Sequence, residues 1–444
     1  MRCLRCLVLL LAGVVVSALG SNAPAEPARV LTRPIPPSEA TLAPLGLTKM
    51  WHAYVGVAGR GDHLVSVQVF GNQIVTQTRG GTLSCLDAET GANQWTVRRT
   101  DHVAPLHFPL AANSYIFACY VGGKILGYDR INGMQEWVLE VPGVLSTFPA
   151  LDDGHLYIAT SDGRMHSYLL PMPKRQVAEA IATRGTPTGT GYGMPGPATL
   201  KAPYFIWSFR MESPAQEPPA SFPNHIVFAD GAGQLFSFEN EKRRLADRSA
   251  VAAPIVAPLT AAGDYFFVAS RDHSVMSFEI MAGGLAPRWR FLTSSPIDRQ
   301  PMVVGPDVFV VGTLDGLYSL DRVSGSPRWR LRRASQFLAA SQRLVFARDE
   351  AKRLLAIDRQ RGVILAEWNA SEFAHMISNA DTDRLVLAND DGLVMCLRDR
   401  DPAAAKPTDY RQPFESKGPA PKPQAKPDDD NGEPKMDDPD RDPS

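Results

Sequence analysis

Gly191-Tyr192-Gly193-Met194-Pro195-Gly196 has the glycine spacing of a turn that lays backbone amides against a pyrophosphate. That chemistry needs a core strand before the turn and a helix opening after it. Pro195, inside a Pro-rich stretch, offers neither, so no dinucleotide site is expected. Gly122-Gly123-Lys124 lacks the earlier glycine of a phosphate loop and reads as a hairpin turn. His102 and His107 flank a strand start without a third ligand in register, and read as polar rim residues. The sequence holds no HExxH and no GxSxG, and no spaced cysteine pair beyond Cys3 and Cys6, which lie ahead of the apolar run and would leave with the signal. What remains is Asp298-Arg299-Gln300, an acid, a base and an amide ahead of an opening strand, where loops line one mouth of a channel. This triplet is the candidate contact for a ligand or partner. No catalytic, cofactor or metal-ligating residue is assigned.

The elements that must position it are repeats. Asp87, Gly91 and Trp95 recur at identical spacing as Asp129, Gly133 and Trp137, and again as Asp321, Gly325 and Trp329. Looser copies are Asp358, Gly362 and Trp368, and Glu279, Gly283 and Trp289, each with two extra residues before the Trp. Each unit reads as a β-hairpin followed by a strand: Asp bonds the turn amides, Gly takes the positive φ, and Trp gives an apolar face for gripping a neighbouring sheet. Eight inner hairpins are countable, from Ile74–Leu86, Ile116–Tyr128 and Leu156–Leu169 through Ile226–Phe238, Phe266–Phe278, Val308–Leu320 and Leu344–Ile357 to Leu385–Leu397. The Trp strands give the same count from Trp51, Trp95, Trp137, Trp207, Trp289, Trp329 and Trp368, with Leu245 where an eighth is expected. Short apolar strands precede several hairpins, at Leu106–Leu110, Val144–Ala150, Pro254–Pro258 and Pro301–Val304.

Leu47–Val55 is a Trp strand without a hairpin before it, and Leu385–Leu397 is a hairpin without a Trp strand after it. The two complete each other. The sequence therefore predicts an all-β, eight-bladed propeller of four-stranded antiparallel blades over residues 47–400, its ring closed by the N-terminal strand.

The flanks differ in kind. Residues 1–20 carry Arg2, Arg5, an apolar run and small residues before a cut after Gly20, which is a secretory signal and places the chain in the periplasm or envelope, or secreted. Residues 21–46 read as an extended Pro/Ala-rich leader, and no transmembrane span is expected in the mature chain. Residues 171–203 are a loop insertion between the third and fourth strands of blade 3, and residues 401–444 a disordered acidic, Pro-rich tail. Cys85, Cys119 and Cys396 remain in the mature chain, and Cys85 and Cys396 share a slot that other units fill with Ser167, Ser237, Ser277, Ser319 and Ala356. Packing explains a small residue there; a bridge between the first and last units is the alternative. A formal charge of −1 excludes the basic field of a nucleic-acid binder. Arg328, Arg330, Arg332 and Arg333, with Arg288 and Arg290, form a basic strip on outer strands, read as edge protection or as a docking strip for an acidic partner.

With Leu86-Asp87-Ala88-Glu89-Thr90-Gly91 and Trp95 in view, the units resemble the PQQ-like repeat, and the likeness spans about Leu47 to Arg400. The family contains quinoprotein dehydrogenases, which hold PQQ with Ca²⁺ against a vicinal cysteine pair, and non-enzymatic propellers such as BamB of outer-membrane assembly. The mature chain has no adjacent cysteines and no lipid-attachment Cys at position 21, and it resembles the non-enzymatic branch more. The resemblance implies a non-catalytic envelope scaffold, monomeric and without a cofactor, that holds another envelope protein or a peptide. The alternatives are a PQQ-dependent oxidoreductase and an extracytoplasmic sensor or polysaccharide-binding module.

Overall fold

The second and third strands of each unit are buried at most positions because both faces are covered, whereas the fourth alternates. In the first blade Gln73–Thr78 is buried throughout, while Asn93–Arg98 buries Trp95 and exposes its neighbours. A computed structural model describes residues 34–57, 61–98, 109–177, 196–240, 242–281 and 284–411. The signal segment, His102, His107, Gly191, Gly193, Gly283 and the tail beyond Arg411 lie outside the described residues.

Among the described residues there are eight antiparallel four-stranded sheets arranged as a ring, a β-propeller. Blade 1 runs through Leu64–Phe70, Gln73–Thr78, Thr82–Asp87 and Asn93–Arg98, and blades 2 to 7 follow in chain order. Blade 8 takes its fourth strand from the N-terminus, where Leu47–Tyr54 pairs antiparallel with Leu393–Asp399. First strands touch their neighbours in turn from blade 2 through blade 6. Each hydrophobic cluster joins two adjacent blades; Val75 and Cys85 of blade 1, for example, meet Phe117 and Cys119 of blade 2. Closure follows the same rule, with Trp51 and Cys396 packed against Ile74 and Leu86.

The Asp, Gly and Trp of the repeat form one joint between blades. The Trp95 ring lies on Gly133 of the next blade, with its Nε1 donating to the Arg130 carbonyl at 2.9 Å. Trp51 meets Gly91 and donates to the Ala88 carbonyl at 2.9 Å, Trp289 meets Gly325 and Arg322, and Trp329 meets Gly362 and Arg359. Each receiving Gly has φ near +70°, and its Asp holds the turn: Asp87 Oδ1 accepts from the Glu89 and Thr90 amides, as Asp129, Asp321 and Asp358 do in their turns. Opposite each Trp sits the small residue of the slot, beside a register shift.

Several expectations shift. Trp137 pairs with Gly127 and lies on that glycine within its own blade, and its Nε1 has no partner among the described residues, because the insertion after Leu170 stands where the other blades have the docking turn. Residue 245 is not the eighth joint: Asp247 occupies that register opposite Ser237, and it accepts from the Leu285 amide at 2.7 Å where a Trp would lay its ring. In blade 7 the register position belongs to Ala366, with Trp368 two residues on. Leu42 and Leu45 share the cluster there. They come from a helix, Glu39–Leu42, and a 3₁₀ turn, Ala43–Leu45, so the described end of the leader is helical, anchored by two buried leucines, rather than extended.

The first strands are shorter than expected because proline lacks an N–H and splits the ladder. Leu145, Ile255 and Ile297 make isolated bridges, and the strands resume after Pro149, Pro258 and Pro301, as Ala150–Leu151, Thr260–Ala262 and Met302–Val304. In blade 2 the strand is Ala111–Ala112. The insertion sits between Arg164–Leu169 and Tyr204–Arg210. The three cysteines are buried and no disulfide joins them, so Cys85 and Cys396 are packing residues and not a bridge. The basic strip is largely a ladder of ion pairs: Arg290 with Asp272 at 2.5 Å, Arg328 with Asp321 and Arg330 with Asp315 at 2.7 Å, Arg288 with Glu279, and Arg333 with Asp349 and Glu367.

Candidate functional site

The turns between first and second strands, and between third and fourth, emerge on one face of the ring. In blades 2 and 3 the first of these turns is built by an amide or carboxylate closing on its own backbone. Asn113 Oδ1 accepts from the Tyr115 and Ile116 amides at 2.8 and 2.7 Å, and Asp152 Oδ1 from the Gly154 and His155 amides at 2.8 and 2.6 Å. Blades 7 and 8 repeat the device with Ser341 and Asn379. Between blades 1 to 4 and blade 8 these turns enclose a cleft of about 1510 Å³.

A polar network ties the walls across blades. Asn113 Nδ2 donates to the Asp152 carbonyl at 2.8 Å, and Ser114 bonds both oxygens of Asp153 at 2.9 Å. The other Asp152 oxygen accepts from Tyr157 at 2.8 Å and from Ser221 and Asn240 of blade 4 at 3.4 Å. Burial alone would raise the Asp152 carboxyl, but bonds from His155, Tyr157 and the Gly154 amide outweigh it and hold it below the ordinary carboxylate range. On the blade 8 side burial pushes the Asp381 carboxyl up, opposed by Arg411. Arg130 crosses from blade 2 to blade 1: Nε donates to Gln73 Oε1 at 2.9 Å, Nη2 to the Phe70 carbonyl at 3.0 Å, and Nη1 to the Asn113 carbonyl. Arg322 and Arg359 make the same crossing later in the ring, to the Ala262 and Val304 carbonyls. Sequence reasoning missed these arginines, although the signal is present as an Asp-Arg dipeptide repeated at 129–130, 321–322 and 358–359.

The cleft floor and walls are mixed. Leu151, Leu169, Ile206 and Phe222 supply apolar surface, and turn amides and carbonyls supply the rest. A cleft this broad, with many backbone groups at its edges, suits an extended chain better than a small molecule. Asp298, Arg299 and Gln300 are elsewhere. They occupy the kink between the Ile297 bridge and Met302–Val304, where Gln300 Nε2 donates to the Leu259 carbonyl of blade 5 at 3.2 Å. Arg299 and Gln300 line a separate 240 Å³ cavity with Gln336 and Ser378, and Asp298 is exposed outside it.

Nothing described fits PQQ with Ca²⁺. The cysteines are scattered and buried, and among the described residues no group of three or more His, Cys, Asp or Glu converges on a cation seat. Among the described residues, also, no helix is long and apolar enough to cross a membrane.

A family model described as the outer membrane protein assembly factor BamB matches residues 46–170 and 205–406, stopping and resuming at the blade 3 insertion. The chain belongs to this family. BamB of Yersinia pestis is 26% identical over 172 residues, 36% of this chain and 43% of the relative. The chain thus aligns with less than half of that relative's length. The crystal structure of BamB from Moraxella catarrhalis superposes with a TM-score of 0.56 at 12% identity, covering 79% of this chain and 97% of that one. The crystal structure of the computationally designed Ika8 protein gives 0.53 at 14% identity over 77% and 97%. At these identities the two structures speak to fold alone.

Proposed function

We propose that the protein is a non-catalytic scaffold of the bacterial envelope that holds an extended polypeptide in the 1510 Å³ cleft during outer membrane protein assembly. The observation that carries this reading is the cleft's construction. Turns from five blades converge there, fixed by Asn113, Asp152 and Arg130, so a ligand meets polar groups already ordered and binding loses little conformational entropy. Membership of the assembly-factor family supports the process, and the signal-like N-terminus supports export.

The test uses a fluorescein-labelled peptide copied from a transmembrane strand of an outer-membrane barrel protein. Binding to the full chain should fall at least tenfold with Asn224→Trp, which fills the cleft edge, and stay unchanged with Asp162→Trp beside the separate cavity at Ser161 and Gly163. Equal binding by both variants would sink the proposal.

A further inference from the structure

The chain does not leave the propeller after its last strand. It crosses the cleft-bearing face as a fixed strap. Pro402–Ala405 forms a 3₁₀ turn whose Ala404 and Ala405 carbonyls each accept from Arg384 at 3.2 Å, and the Arg384 side chain is only 3% exposed. Thr408 bonds both oxygens of Asp383 at 3.2 Å, and the Tyr410 amide donates to the Asp381 carbonyl at 2.8 Å. The Tyr410 hydroxyl reaches the Ala340 carbonyl of blade 7 at 3.2 Å, with Arg359 over its ring. Arg411 then lies directly on Gly71 of blade 1, paired with Asp409 at 2.8 Å. Residues 401–411 are therefore not part of a solvated tail, as composition suggested, because they are bonded to side chains and carbonyls of blades 7 and 8 and packed on Gly71 of blade 1.

The strap delivers the chain to one place. Gly71, Asp381 and Arg411 all line the cleft, so residue 412 starts at its edge. We propose that residues 412–427 of the chain's own C-terminal segment occupy the cleft and must be displaced before a partner binds. This rests on the cleft being a peptide site. Phe414 follows Arg411 by three residues, about 10 Å of extended chain, so the segment brings an aromatic side chain to a cleft whose lining includes the apolar Phe70, Leu151, Leu169, Ile206 and Phe222. Pro413, Pro419, Pro421, Pro423 and Pro427 favour the extended form that a cleft accepts. The segment carries Lys417, Lys422 and Lys426 against Glu415, while the cleft lining is balanced, with Asp152, Asp153 and Asp381 against Arg130, Arg243 and Arg411, so the position of residue 411 and not net charge argues for this occupant. A short tether gives an effective concentration on the order of 1 mM, so an intrinsic affinity of about 0.5 mM keeps the cleft about two-thirds occupied and weakens a competing peptide about threefold.

The experiment compares the full chain with a chain ending at Arg411, which retains the strap. The probes are a fluorescein-labelled peptide of residues 412–427 and the barrel-strand peptide used above. The 412–427 peptide should bind the shortened chain and bind the full chain at least threefold more weakly, with Phe414→Ala in the peptide weakening binding to the shortened form. The barrel-strand peptide should bind the shortened chain more tightly than the full one. If the barrel-strand peptide binds both forms equally and the 412–427 peptide binds neither, self-occupancy is wrong and the cleft remains a peptide site. If neither peptide binds either form, the cleft reading fails and self-occupancy falls with it.

Discussion

Gly325→Ala tests whether the Trp–Gly contact is the joint between blades. Gly325 has φ +71°, and a Cβ there would lie 2.6 Å from Cδ2 of Trp289, well inside contact distance. Two costs follow. The left-handed backbone penalises Ala by about 1 to 2 kcal/mol. The indole must also withdraw, loosening its 2.9 Å bond to the Arg322 carbonyl, worth about 1 kcal/mol, and leaving a void that adds about another 1 kcal/mol. The expected loss is about 3 to 4 kcal/mol. Gly123→Ala is the control, since Gly123 has φ +82° with nothing within 4 Å of the added carbon, so only the backbone penalty applies. Guanidinium unfolding followed by tryptophan fluorescence should place the two variants about 2 kcal/mol apart. Equal midpoints would mean that blade docking does not depend on the glycine, and the reasoning about the repeat would be wrong.

Truncation after Arg400 removes the Ala404 and Ala405 carbonyls from the buried Arg384 and the Tyr410 ring from Arg359, and should cost about 2 to 4 kcal/mol in chemical denaturation. Truncation after Arg411 should change stability by only about a few tenths of that, and a similar loss in both would place the stabilisation beyond the strap. Burial pushes the Glu217 carboxyl up to about 7 from 4.5, so between those values the folded chain holds a proton that the unfolded chain has released. Stability should therefore fall as pH rises from about 4.5 to 7, a slope that Glu217→Gln removes; an unchanged slope in that variant would refute the assignment. Burial likewise pushes the Cys85 and Cys396 thiols up to about 12. Iodoacetamide at pH 8.5 should leave both unlabelled in the native protein and label both after unfolding, and rapid native labelling would contradict their placement in the slot.

Much of the fold was legible. The second and third strands announced themselves by continuous apolar runs, and Asp129, Gly133 and Trp95 by fixed spacing, because turn chemistry and sheet periodicity act over a few residues. The misread joints share a cause. Leu245 and Trp368 were placed by residue type at the right distance, whereas register made Asp247 and Ala366 the actual joint residues. A register shift beside the slot residue decides that, and it depends on what the next blade offers.

The candidate site was less legible. Asp298, Arg299 and Gln300 gather three functional groups locally, but Gln300 bonds the neighbouring blade and the triplet lies outside the main cleft. The Asp-Arg dipeptides were visible in the sequence, yet what they reach was not, since Arg359 bonds the Val304 carbonyl 55 positions away. The sequence by itself determined eight blades, their order and a ring closed by its own first strand, since each of these follows from local patterns repeated along the chain. Only the tertiary structure decided where the cleft opens, which side chains tie its walls and that residues 401–411 cross its face. Those features are made by groups such as Arg384 and Glu89, separated by 295 positions, and ring closure alone brings them together.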